Sequence, residues 1–255
     1  MKIGFPSNPR MNIIDEIKWI AENGFDFVDL FLEEDSAVPD RINSKEIRAL
    51  IDNYGIGVVG HTAWYMPIGS PSPAVRKAAV KEIERYLEVF SETGVKFVTV
   101  HAHWQSGNLF NPKEAAYFQI ESLISLVASA RETGLNIMFE PVTSRRDTIE
   151  NVAFILDSVP GLYLHLDIGH ASLYSRKPEE FINQFGSRLR HVHLHDNDLD
   201  TDLHLPLGTG KVDWKGAVRE LKRFYDGTIT LEIFSEDRRY ALISREKLNE
   251  FWNSI

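Results

Sequence analysis

Two hydrophobic rhythms take turns along this chain. One is a short, nearly continuous apolar run, as in a strand buried on both faces; the other recurs every three to four residues, as in an amphipathic helix. The runs predict strands at 2–5, 25–32, 57–60, 95–100, 135–139, 162–166, 189–194 and 228–231. Between and after them the helical spacing predicts helices at 13–23, 44–54, 73–93, 112–133, 148–159, 178–185, 213–225 and 244–252. In the first helix the stripe is Ile13, Ile14, Ile17, Trp19 and Ile20. Local punctuation agrees. Ser44 and Asp213 are N-cap candidates, Asn111-Pro112 opens the fourth helix, and Asn23-Gly24, Gly94, Gly134 and Gly186 stop helices.

Strand and helix alternate in units of roughly 30 residues, which argues for a parallel sheet. Eight such units with no residue block left over predict one α/β domain over 1–255, closed as a single (β/α)8 TIM barrel. An open doubly wound sheet announces itself with a glycine-rich first turn, and the first turn here is Phe5-Pro-Ser-Asn-Pro9. The longest irregular stretches, 64–72, 104–111 and 197–212, all follow strands, on the face where barrel active sites are built.

Composition narrows the function. The 255 residues carry a net charge of -9, which counts against a protein that lives on neutralising phosphates. There is no cysteine, so no disulfide, thiolate metal site or thiol nucleophile. The start of the chain turns polar too quickly for a signal peptide, and no apolar run approaches the ~18 residues of a membrane span. A cytoplasmic protein with no membrane association is expected.

The candidate chemistry sits where strands end. His61 and His101 follow strands three and four, Glu140 strand five, Asp167 and His170 strand six. His193 lies in strand seven, Asp202 and His204 in its mobile-looking loop, and Glu232 follows strand eight. Strand ends of a barrel converge on one axial site. Nine ionisable groups on one buried face are very costly unless paired or loaded with metal. Nitrogen and oxygen donors without sulfur suit zinc, manganese, cobalt or magnesium. His103, His165, His191 and His195 are instead read as ordinary satisfied polar groups, with His165 and His191 lying deeper, as partners that orient a ligand. Trp64 stands in the barrel mouth, where it can stack on a sugar. The basic pairs Arg145-Arg146, Arg176-Lys177 and Arg238-Arg239 follow strands and read equally as a clamp for an anion or as solvated helix starts.

Phe139-Glu-Pro141, Leu166-Asp-Ile-Gly-His-Ala171, His191-Val-His-Leu-His-Asp196, Leu205-Pro-Leu-Gly-Thr-Gly-Lys-Val-Asp-Trp214 and Leu231-Glu232 give the whole chain a resemblance to the xylose isomerase-like TIM barrel superfamily. That superfamily includes sugar phosphate isomerases and epimerases and endonuclease IV. The resemblance implies a divalent-metal-dependent isomerase or epimerase of a small sugar or sugar phosphate. Glu140, Asp167, His193 and Glu232 would hold one ion, and Glu140 and Glu232 would move the proton through a metal-stabilised enediolate. His170 or Arg145 would anchor hydroxyls or phosphate, and Trp64 would line the substrate. The alternative it implies is an endonuclease IV-like trinuclear zinc phosphodiesterase (AP endonuclease family 2) acting on abasic DNA. There His61, His101 and Glu140 hold the first zinc, Glu140, Asp167, His193 and Glu232 the second, and His170, Asp202 and His204 the third. One to three ions per chain follow. The sequence departs from endonuclease IV at Pro141-Val-Thr-Ser-Arg-Arg146 and at His101-Ala-His-Trp104, and no DNA-intercalating loop is identifiable. A small sugar is therefore the expected partner, nucleic acid is less favoured, and a homo-oligomer is left open. A metabolite sensor on a retained barrel is the least favoured reading.

Overall fold

The computed structural model describes residues 1–34, 36–104 and 109–255. Part of the irregular stretch 104–111 lies outside the described residues. The strands are β1 (Lys2–Pro6), β2 (Phe27–Leu32), β3 (Gly57–Thr62), β4 (Phe97–His101), β5 (Asn136–Glu140), β6 (Tyr163–Asp167), β7 (Leu189–Leu194) and β8 (Thr228–Leu231). They pair in sequence order, all parallel, and β8 closes onto β1. The predicted TIM barrel is the fold.

The helices are α1 (Ile13–Glu22), α2 (Ser44–Tyr54), α3 (Pro73–Thr93), α4 (Pro112–Glu132), α5 (Ile149–Ser158), α6 (Ile168–Ser172), α7 (Pro178–Phe185), α8 (Trp214–Phe224) and α9 (Arg239–Asn253). Three of them differ from the sequence pattern. Ser44 is the first residue of α2, not its cap. Asn43 caps it by accepting from the Glu46 N–H, while the Ser44 hydroxyl donates to Glu92. The last helix begins at Arg239 rather than 244, because Ala241 and Leu248 both reach the core and set its face. The single turn α6 has no apolar stripe to betray it; Asp167 caps it by accepting from the His170 N–H. No helix among the described residues is long and apolar enough to cross a membrane.

Alternation along the strands divides the interior in two. Val28, Leu30, Leu32, Val98, Val100, Ile137, Phe139, Leu164, Leu166, Val192, Leu194, Ile229 and Leu231 join the large core between barrel and helices. The intervening residues face the axis. At its bottom, Phe27, Val59 and Met138 form a separate apolar plug against Phe97 and Tyr163. Above the plug the axis turns polar with Asp29, Thr99, His165, His191 and Thr230, all fully buried. His61, His101, Glu140, Asp167, His193 and Glu232 form the top, also buried. The apolar plug thus closes one end and leaves only the other for chemistry.

Gly4 makes room for the plug. It lies in register with Phe27, and a Cβ there would stand 2.4 Å from the Phe27 ring. Gly4→Ala therefore overpacks a closed site and should cost about 1–3 kcal/mol. Urea unfolding of the variant is expected to show a lower midpoint; an unchanged midpoint would mean that the Phe27 ring can yield.

Candidate metal centre

Register brings the top residues together. His101 pairs with Glu140, and Asp167 with His193, across neighbouring strands. Glu140 Oε2 stands 3.1 Å from His101 Nε2 and 3.5 Å from His61 Nε2. His193 Nδ1 faces Glu232 Oε2 at 3.1 Å and Asp167 Oδ2 at 3.9 Å. Donor atoms of Glu140, Asp167 and His193 lie within 4.8 Å of one another, as do those of His61, His101 and Glu140. Glu140 Oε2, Asp167 Oδ2 and His193 Nδ1 are buried yet have no hydrogen-bond partner. Buried donors and acceptors normally find partners, so unpaired oxygens and nitrogen converging on one point fit a divalent cation.

A second donor group lies beside the first. His170, His195, Asp202 and His204 offer ligand atoms within 4.8 Å of one another. His195 Nε2 is 3.2 Å from Asp167 Oδ1 and 3.5 Å from Asp202 Oδ1. The sequence reading set His195 aside as an ordinary polar group. It stands instead inside this cluster, stacked on His204 with centroids 3.9 Å apart. Gly169 admits it, since a Cβ there would meet the His195 ring at 2.2 Å.

The loop carrying Asp202 and His204 looked mobile from sequence, but it is tied down. Asp196 and Leu205 form an antiparallel bridge. The buried Asp196 carboxylate accepts from the Gly208 N–H at 2.8 Å, the Val212 N–H at 3.2 Å and Trp214 Nε1–H at 2.9 Å. That explains the Leu-Pro-Leu-Gly-Thr-Gly-Lys-Val-Asp-Trp run: it is the wrap around one carboxylate. His204 is held at φ 46, in the left-handed region. Non-glycine residues tolerate that region only when their surroundings impose it. Here the Nδ1–H of His204 donates to the Glu232 carbonyl at 3.0 Å, which turns Nε2 toward Asp202.

The electrostatics follow from burial against pairing. Burial opposes charge on Glu140, but His165 and His101 outweigh it and hold it well below the usual carboxylate range. Asp167 is lowered in the same way against its burial, by His170 and His195. Burial is likewise overcome at Glu232 by His193 and His204. In return Asp167 and Asp202, working against burial, push His170 up to about 10, and Glu232 and Asp202 push His204 up to about 9.

His61, His101, Glu140, His170, Asp202, His204 and Glu232 line a cavity of about 890 Å³, while Asp167, His193 and His195 are buried off its wall. Its wall includes Glu33, Trp64, Tyr65, Trp104, His103 and Phe234. Trp64 is where the sequence places it, in the mouth, two-thirds exposed. Arg145 is not on the wall; its guanidinium lies 4.0 Å over the Tyr174 ring. Arg176 donates to the carbonyls of His170 and Asp147 at 2.7 Å, so it braces loops. Arg238 pairs with Glu16, and Arg239 with Asp237. Among the described residues no lysine or arginine lines the cavity. Sequence reasoning missed Asp29, Glu33 and Phe234. Asp29 sits mid-strand in an apolar run, and only its odd charge there signals it.

The match to a family model extends over residues 17–251. The chain belongs to the xylose isomerase-like TIM barrel family. Among its relatives, an uncharacterised protein of Methanocaldococcus jannaschii is 28% identical over 94% of this chain and 85% of its own. Fructoselysine 3-epimerase of Escherichia coli is 24% identical over 95% of this chain and 93% of its own. Among solved structures, a D-tagatose 3-epimerase-like protein superimposes with a TM-score of 0.89 at 27% identity, covering 99% of this chain and 97% of that one. The 3-keto-D-glucoside 4-epimerase of E. coli superimposes with a TM-score of 0.80 over 98% of each chain; at 23% identity it speaks for the fold alone.

One buried carboxylate beside Trp104 has a readable pH signature. Asp147 accepts from Trp104 Nε1–H at 2.7 Å and from the Ser144 N–H at 3.1 Å, and burial pushes it up to about 6 from 3.8. Between those values the folded chain binds the extra proton, so this group's contribution is full below about 4 and is lost as pH rises through 6. At ~1.4 kcal/mol per unit the change is on the order of 3 kcal/mol. Asp147→Asn should remove it. Its stability relative to wild type, from urea unfolding at pH 4.5 and 7, is expected to rise with pH; a constant difference would show that Asp147 titrates normally.

Proposed function

We propose that the protein is a divalent-metal-dependent epimerase or isomerase of a small, unphosphorylated sugar. The observation that carries the reading is the convergence of Glu140, Asp167 and His193 donor atoms from three successive strands, with Glu232 Oε2 3.1 Å from His193. These four residues would hold the ion. When bound, it supplies a Lewis acid that polarises a substrate carbonyl and neutralises developing negative charge.

The chain's own residues do the rest. Glu140 comes from β5 and Glu232 from the end of β8, with β6 and β7 between them. One carboxylate takes the proton from the carbon next to the carbonyl, and the electron pair moves onto the carbonyl oxygen. The other carboxyl delivers a proton to that carbon's opposite face. Both are held ionised, so either can abstract; its partner must first take up a proton. Trp64, Tyr65 and Phe234 offer ring faces to a sugar at the mouth. A phosphate dianion would call for arginine or lysine, and the described wall has neither; its charged histidines, His170 and His204, both face Asp202, so a neutral sugar fits better than a sugar phosphate.

The expected result with metal-loaded protein and a panel of ketoses and keto-sugars is deuterium from solvent at one epimerised carbon, read by NMR. Glu140→Gln and Glu232→Gln should each lose turnover by about 10²–10⁴-fold, the usual share of general acid–base catalysis. Retained turnover in either variant would sink the assignment.

A zinc phosphodiesterase acting on abasic DNA is the second reading. The donor group of His170, His195, Asp202 and His204 favours it, since it provides for further ions. The absence of lysine and arginine from the described wall and the net charge of -9 oppose it. Metal content per chain, measured with cleavage of an abasic-site duplex, separates the two. One exchangeable ion without cleavage is expected; three zincs with cleavage would overturn the epimerase.

A further inference from the structure

Asp29 has no part in the reading above, yet it is a fully enclosed charge in the barrel. Its carboxylate is fully buried at the middle of β2, one layer beneath the metal centre. Its Oδ2 accepts from His193 Nε2–H at 2.6 Å, from the Thr230 hydroxyl at 3.0 Å and from His191 Nε2–H at 3.2 Å. Its Oδ1 has no hydrogen bond and points toward His61 Nδ1, 3.6 Å away. One carboxylate thus faces the inner nitrogens of two histidines whose outer nitrogens face the site: His193 Nδ1 toward Glu232, and His61 Nε2 toward His101 and Glu140.

We propose that Asp29 is the positioning residue of the metal centre. The proposal rests on the metal reading given under Proposed function. By accepting the Nε2–H of His193, Asp29 makes Nδ1, 3.1 Å from Glu232 Oε2 and 3.9 Å from Asp167 Oδ2, the nitrogen left for the ion. An imidazole that ligates metal through one nitrogen needs an acceptor for the proton on the other; that partner sets the tautomer, fixes the ring and raises the basicity of the ligating nitrogen. Phe31 complements the carboxylate. Its ring lies 4.0 Å from His61 and stacks parallel to His193, with 9° between the planes, so packing sets the ring plane while Asp29 sets the nitrogen. His191 supports Asp29 from below. Its other nitrogen meets the Thr228 hydroxyl at 2.7 Å, so Nε2–H is the end left to donate upward.

The test uses the full chain, stripped of metal, and Zn2+ as the probe. Titration calorimetry should show Asp29→Asn binding Zn2+ about 10–100-fold more weakly than wild type, the usual penalty for losing such a partner. An amide can donate as well as accept, so the His193 tautomer is no longer dictated. Imidazole ¹⁵N NMR of the Zn2+-loaded wild type should show His193 protonated on Nε2 and bare on Nδ1, the signal being assigned by its loss in His193→Gln. The wild-type spectrum decides the matter even if Asp29→Asn does not fold. Equal Zn2+ affinity in a folded Asp29→Asn, or a proton on His193 Nδ1 in the loaded wild type, would overturn the role of Asp29 and leave the metal reading standing. A wild type that binds no Zn2+ would overturn both.

Discussion

A carboxylate out of reach of water has to be met by a proton donor or a cation, and the barrel axis buries four: Asp29, Glu140, Asp167 and Glu232. Histidines stand between them. His191 and His193 serve Asp29, His101 and His165 serve Glu140, His195 serves Asp167, and His204 serves Glu232. Each pairing offsets part of the cost of burial, and none uses every lone pair. The atoms left over are those that converge at the top of the barrel. The same arrangement that makes the charges tolerable leaves a cluster of donors suited to a divalent ion.

The rest of the chain serves this axis. The plug of Phe27, Val59 and Met138 closes its lower end. The outward residues of each strand pack against the helices and hold strand register, which decides whether His101 meets Glu140 and Asp167 meets His193. A slip of one residue would turn every candidate ligand of that strand into the core. The long loop after β7 adds its donors only because Asp196 gathers three N–H groups from 208–214 around a buried carboxylate. Asp196 and Asp29 are both buried acids whose use is to hold something else in place, one a loop and the other an imidazole.

Much of this was legible in the residues. Strand-end positions are marked by an apolar run that stops at a histidine or carboxylate, so His61, His101, Glu140, Asp167 and Glu232 stood out one by one. His195 and Asp29 were harder for different reasons. His195 shares a strand and its extension with two other histidines, and periodicity alone does not say which of them reaches the site. Asp29 lies within an apolar strand, where a lone acid is as easily an ion-pair member as a partner to ligands. The basic pairs stayed open because a positive residue after a strand looks the same in sequence whether it faces the cavity, as a clamp would, or stacks on Tyr174, as Arg145 does.

The sequence alone determined the barrel. Eight repeats of two hydrophobic periods have few ways to bury every apolar face, and closing a parallel sheet inside its helices is one of them. It also determined the chemical character of the centre, because only nitrogen and oxygen donors occur at the strand ends. What the tertiary structure alone decided is which atoms face which. Strand register and barrel tilt set the 2.6 Å contact that joins residues 29 and 193, distant in sequence and on strands β2 and β7. Side-chain direction kept lysine and arginine off the described wall, and the folded loop brought Asp202 and His204 to His170 and His195. Such distances depend on closure of the whole barrel, and no local pattern encodes closure.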